Sequence, residues 1–138
     1  MPYIVGFSKA VQGADPALYI NDCCIGGDVV LDRLLPVLRV NYGENLQANQ
    51  EDWGWFTWFD KSAVKLAVDI HTDDHEKWEF QVHLTSSRQR FLFGPKVQDT
   101  PELEELRDLV MSQLKSWPVT NLTTARVDEK YMLIKNGG

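Results

Sequence analysis

The stretch Trp53-Gly54-Trp55-Phe56-Thr57-Trp58-Phe59-Asp60 decides the fold, because from here the sequence takes on a period of two. After it, Val64, Leu66, Val68 and Ile70 alternate with Lys65, Ala67, Asp69 and His71. Farther on, Trp78, Phe80, Val82 and Leu84 alternate with Glu79, Gln81 and His83. Strands with one face on a core and the other in water read this way, so residues 53–60, 64–72 and 78–85 are expected to form an antiparallel meander. Arg90 to Phe93 is expected to add a fourth short strand ending at Gly94-Pro95.

On the N-terminal side, residues 3–7 and 17–20 have the character of short strands around a turn at Gly13 to Pro16. Asp28 is placed to cap a first helix, on which Leu31, Leu34, Leu35, Leu38 and Tyr42 form one stripe ending at Gly43. Val30, Val37 and Val40 widen its apolar surface, and Pro36 inside the pattern implies a kink or a late start. Residues 44–52 have the polarity of a loop. Toward the C-terminus, Thr100 caps a second helix, Pro101 takes its first position and Pro118 marks its stop, with Leu103, Leu106, Val110, Leu114 and Trp117 facing inward. The Thr-rich tail has room for a strand at 123–127 and a short final element. The expected architecture is α+β, a two-layer sandwich. Its antiparallel sheet comprises the meander 53–93 plus N- and C-terminal strands, with helices 28–42 and 101–117 on one face.

A chain of 138 residues with 43% hydrophobic residues suits one domain, 1–138, that buries roughly two-thirds of its unfolded surface. A formal charge of −6 gives no general attraction to phosphate backbones or anionic lipid, so neither nucleic acid nor membrane is an expected partner. The absence of a long apolar run or a basic, apolar leader points to a cytoplasmic protein. Cys23 and Cys24 are adjacent, which is unsuited to an unstrained disulfide, and their spacing matches neither CxxC redox chemistry nor a zinc knuckle.

The anomaly is that the tryptophan-rich strand is aromatic on both parities. With Phe59 paired to Val64, Trp53 and Trp55 are expected beneath the helices with Val68 and Ile70, and Phe56 and Trp58 on the outer face. There Trp58 is expected opposite Lys65, in reach of a cation–π contact, and Phe56 opposite Ala67, with Gln81 and His83 nearby. Phe56, Trp58, Lys65, Gln81 and His83 are therefore the candidate binding residues. They form an aromatic patch edged by polar groups, suited to a homodimer or another protein partner unless the N-terminal strands or the first helix cover it. A toxin-neutralising immunity protein is one concrete form of such a module. Gly54 marks a bulge or the close approach of another group. The competing reading is a small metal-dependent or acid–base enzyme centred on Asp69, His71, Glu79 and His83 on the same face. Their spacing carries no metal signature, and no metal or other cofactor is expected.

Other signals are weak. Gly26-Gly27 lacks a GxGxxG pattern or a Walker lysine, no serine lies in a GxSxG elbow, and Asn121-Leu122-Thr123 is a chance sequon in a cytosolic chain. Gly137-Gly138 lacks the β-grasp context of a sulfur carrier. The run Glu51-Asp52-Trp53-Gly54-Trp55, between a first helix and a meander with a later helix, resembles small uncharacterised bacterial α+β proteins carrying an E-D-W-G-aromatic element. The resemblance implies a small bacterial protein with a fixed passage from helix to sheet, and it implies no activity.

Overall fold

The computed structural model describes residues 2–11, 17, 19–90 and 94–127. The expected turn at Gly13–Pro16, the final element and Gly137-Gly138 lie outside the described residues. The architecture is the expected α+β sandwich: an antiparallel sheet with two helices on one face. Its strands are β1 (Tyr3–Ser8), β2 (Asn49–Glu51), β3 (Gly54–Lys61), β4 (Val64–Asp74), β5 (Glu79–Arg90), β6 (Gly94–Val97) and β7 (Thr120–Arg126). Six run in the order β2-β3-β4-β5-β1-β7, and β6 pairs with the far end of β5.

Both hairpins of the meander differ in register from the expectation, each by an even number of residues. A tight turn at Ser62-Ala63, with Ser62 at φ 55°, brings Lys61 opposite Val64 and Phe59 opposite Leu66. At the next turn Asp74 Oδ1 accepts the backbone N–H groups of Glu76 (2.9 Å) and Lys77 (3.1 Å). This side-chain-built turn carries both strands farther, so Ile70 faces Val82 rather than Trp78. Even shifts leave every side chain on its face. The buried set is therefore the one the alternation implies: Val64, Leu66, Val68 and Ile70 with Phe80, Val82 and Leu84.

Three strand assignments are corrected. Asn49–Glu51 is a strand rather than loop; a three-residue edge strand lives on backbone pairing and shows no apolar period. Tyr19 and Ile20 lie in no strand, and the Ile20 N–H donates to Gln50 Oε1 rather than to a ladder. Arg90 belongs to β5, and Gly94-Pro95 begins β6 instead of ending a strand; residues 91–93 of the expected fourth strand lie outside the described residues. Pro95 is tolerated because β6, among the described residues, pairs on one side only.

Helix α1 (Gly27–Tyr42) starts one residue before the expected cap, because the Asp28 carboxylate accepts the Tyr19 hydroxyl (2.9 Å) instead of a backbone N–H. Pro36 does not interrupt it: Pro36 and Asp32, whose carbonyl loses its partner, both face solvent. Val40 is 85% exposed, so the apolar surface is narrower than its valines imply. Helix α2 (Pro101–Ser116) follows the expectation. Thr100 Oγ1 accepts the Leu103 N–H at 3.1 Å and donates to Ser86 Oγ on β5 at 3.0 Å, tying the helix start to the sheet. The helices pack on each other, α1 over β3 and β4 and α2 over β4 and β5. Their leucines close one core, each fully buried side chain contributing about 1.5–3 kcal/mol. Two further bonds fix the approach to α1: Trp55 Nε1 donates to the Cys24 carbonyl (2.9 Å), and Thr72 Oγ1 to that of Ile25 (2.6 Å). Cys23 and Cys24 are both free thiols, the first exposed and the second buried.

Candidate functional site: the outer face of the sheet

With both helices on one side, no helix or strand among the described residues covers the other. β1, a possible cover, is a strand within the sheet, and α1 lies on the opposite face. Phe56 and Trp58 project outward as expected, with Trp58 58% exposed. Trp53 does not lie beneath the helices. It sits in the turn between β2 and β3, outside the pleat, and Gly54 at φ 150° redirects the chain before the alternation begins. A residue ahead of such a break takes no face from strand parity.

The consequence is a continuous file of rings. Centroids are separated by 4.5 Å for Trp58–Phe56, 5.5 Å for Phe56–Trp53, 5.3 Å for Trp53–His71 and 4.4 Å for His71–His83. His71 Nδ1 lies 2.8 Å from the Trp53 carbonyl oxygen. A carbonyl only accepts, so Nδ1 carries the hydrogen. Gln81 and His83 are joined side chain to side chain at 3.1 Å.

Asp69 is the polar centre. It lies opposite Phe56 on β3 and His83 on β5, and its Oδ1 accepts the Trp58 indole N–H at 2.7 Å. Together with Trp53, His71 and His83 it lines a shallow depression of about 470 Å³. Burial pushes its carboxyl above the usual carboxylate range, against the lowering effects of the Trp58 bond and of His71. Burial, aided by His71, pushes His83 down to about 4, so its imidazole is neutral at pH 7.

Of the candidate binding residues, Phe56, Trp58, Gln81 and His83 share this surface. Lys65 shares the face but lies opposite Asp60, where it lines a second depression beside Trp58. The cation–π contacts among the described residues join Lys9 and Arg33 to Trp117 and Arg107 and Arg126 to Tyr3; the expected Lys65–Trp58 contact is not formed, because the tighter turn moves Lys65 along the strand. Of the acid–base candidates, Asp69, His71 and His83 are brought together. Glu79 stands apart, opposite Ser8 and Asp74 and four residues from His83, about 13 Å along β5. Among the described residues no three His, Cys, Asp or Glu side chains form a metal-binding group. Sequence reading missed Trp53 as an outer-face residue; Asp52 before it and Gly54 after it are the turn signal that would have found it.

No described helix is long and apolar enough to cross a membrane. No family model, curated protein or solved structure matches this chain.

Proposed function

We propose that this chain is a protein-binding module that docks a foreign partner on the outer face of its sheet, with Trp53, Phe56 and Trp58 as anchors. One observation carries the reading: a file of rings in mutual contact on a face that no described element covers, in a domain whose core is complete without them. Large rings with few charges are the composition of interface centres, where each buried aromatic removes about 150–250 Å² from water. A foreign partner is favoured over a second copy because a two-fold pairing centred on this patch sets Asp69 against its own equivalent. The enzyme reading has less support, since Glu79 stands apart from the other three candidates.

The test is a double variant, Phe56→Ser with Trp58→Ser. A partner captured from host cells and identified by mass spectrometry is reconstituted with the purified full chain, and the complex is weighed by light scattering. Loss of a stoichiometric complex at unchanged thermal stability is the expected result. An undiminished complex removes the face from consideration, and a wild-type dimer abolished by the same changes replaces the foreign partner with a second copy.

A further inference from the structure

We infer that the anchor point of this face is a receptor for a cationic side chain, a guanidinium or ammonium group presented by the partner, seated on Asp69 and walled by the rings of Trp53 and Phe56. The inference rests on the docking face proposed above and adds the chemistry of what docks there.

Three features of the geometry carry it. The first is the missing counter-charge. Asp69 accepts one hydrogen bond, from Trp58, and no Lys or Arg among the described residues pairs with it. Lys65, on the same strand and face, is four residues away, about 13 Å. The second is the wall. Phe56 lies directly across the strand pair from Asp69, and Trp53 lines the same depression; the faces of such rings carry negative potential and attract cations. The third is access, since the depression of about 470 Å³ opens to solvent and exceeds the needs of a guanidinium. The neighbouring imidazoles compensate the carboxylate only in part: His83 is neutral at pH 7, and His71, whose Nδ1–H is taken by the Trp53 carbonyl, makes no hydrogen bond or ion pair to Asp69 among the described residues. The elevated carboxyl of Asp69 agrees with a charge in a half-buried site where burial outweighs the Trp58 bond and His71. An overall charge of −6 steers a basic partner toward the molecule.

The probe is N-acetyl-arginine amide, with the citrulline analogue as its neutral counterpart of the same shape. Each is titrated into the ¹⁵N-labelled full chain while the indole N–H signals of Trp58 and Trp53 are followed. The expected result is saturable binding of the arginine compound in the millimolar range and at least tenfold weaker binding of citrulline. That preference disappears in Asp69→Asn, which keeps an oxygen for the Trp58 indole. Equal binding of the two compounds to the unmodified chain overturns the inference, and so does a preference that survives Asp69→Asn. The first comparison needs no variant, so it decides even if Asp69→Asn does not fold. If arginine and citrulline bind alike while the partner complex is still lost in the Phe56→Ser, Trp58→Ser double variant, the docking face stands and the cationic anchor falls. If the complex survives that double variant, the docking face falls and takes this inference with it.

Discussion

Replacing Gly54 by alanine isolates the contact on which the ring file depends. A Cβ at Gly54 falls 2.0 Å from the carbonyl oxygen of Ile70, a backbone atom in the middle of β4 that has no freedom to swing away. Gly54 is also at φ 150°, a conformation that costs a non-glycine residue about 1–3 kcal/mol. Gly43, at φ 147°, provides the control, because a Cβ there meets nothing within 4 Å. Gly43→Ala therefore carries the strain alone. Gly54→Ala carries the strain plus an overlap relieved only by parting β3 from β4, with the loss of one or two ladder hydrogen bonds at about 1 kcal/mol each. The expected cost is about 2–5 kcal/mol for Gly54→Ala, a large share of the total stability of a small domain. For a chain of this length about 1 kcal/mol corresponds to about 3–4 °C, so thermal unfolding of Gly54→Ala falls by about 6–20 °C. Urea unfolding at unchanged slope gives the same difference independently. The indole N–H of Trp53 also shifts, since Trp53 precedes the displaced residue and bonds His71 beyond it. If the two alanine variants lose the same stability, the Ile70 carbonyl is not a constraint and the close-approach reasoning fails.

Two further outcomes follow from the same structure. Thr100→Ala removes the acceptor for the Leu103 N–H and the donor to Ser86, lowering stability by about 1–2 kcal/mol, whereas Thr100→Ser keeps the oxygen and most of that stability; equal losses in thermal denaturation would count against the cap. His83 titrates at about 4 in the folded protein against 6.5 in the free side chain, so the unfolded chain binds more protons between these values and stability falls as pH is lowered through that window. The full linkage from pH 7 to pH 5 is about 2 kcal/mol, reduced to about 1 kcal/mol by partial exposure, and Asp69, whose carboxyl is raised by burial, acts in the opposite sense. Chemical denaturation of His83→Gln at pH 7 and pH 5 is expected to lack that loss, and an unchanged pH dependence refutes the assignment.

What was legible in the sequence is what parity and end signals encode. Helix α2 is written in full by Thr100, Pro101, its leucine stripe and Pro118. The inward set of β4 and β5 survives shifts of two and four residues, because burial selects a face and leaves the exact partner open. What parity does not encode was missed. β2 is three polar residues held by backbone bonds. Trp53 lies before the pleat begins, where hydrophobicity argues for the core and geometry places the ring outside it. Pro36 sits where it and Asp32, whose carbonyl it orphans, face water, and that exposure is a property of packing.

The same distinction determines the chemistry of the candidate site. A looser turn after β3, pairing Phe59 with Val64, keeps Phe56 and Trp58 on the outer face but sets Trp58 against Lys65 and Phe56 against Ala67. In that register the patch is an indole beside an ammonium, with Asp69 beyond the end of the aromatic pair. The two-residue turn at Ser62-Ala63 slides β4 so that Phe56 faces Asp69 and the Trp58 indole reaches its carboxylate. Alternation thus decides that rings are exposed, and one turn decides the sign of the charge they surround. Inserting two residues between Val64 and Lys65, with the Ser62-Ala63 turn left in place, is expected to keep every side chain on its face while setting Lys65 opposite Trp58. In the arginine titration the cation preference should then vanish in a chain that still folds; its persistence would separate the preference from the register, and with it from Asp69.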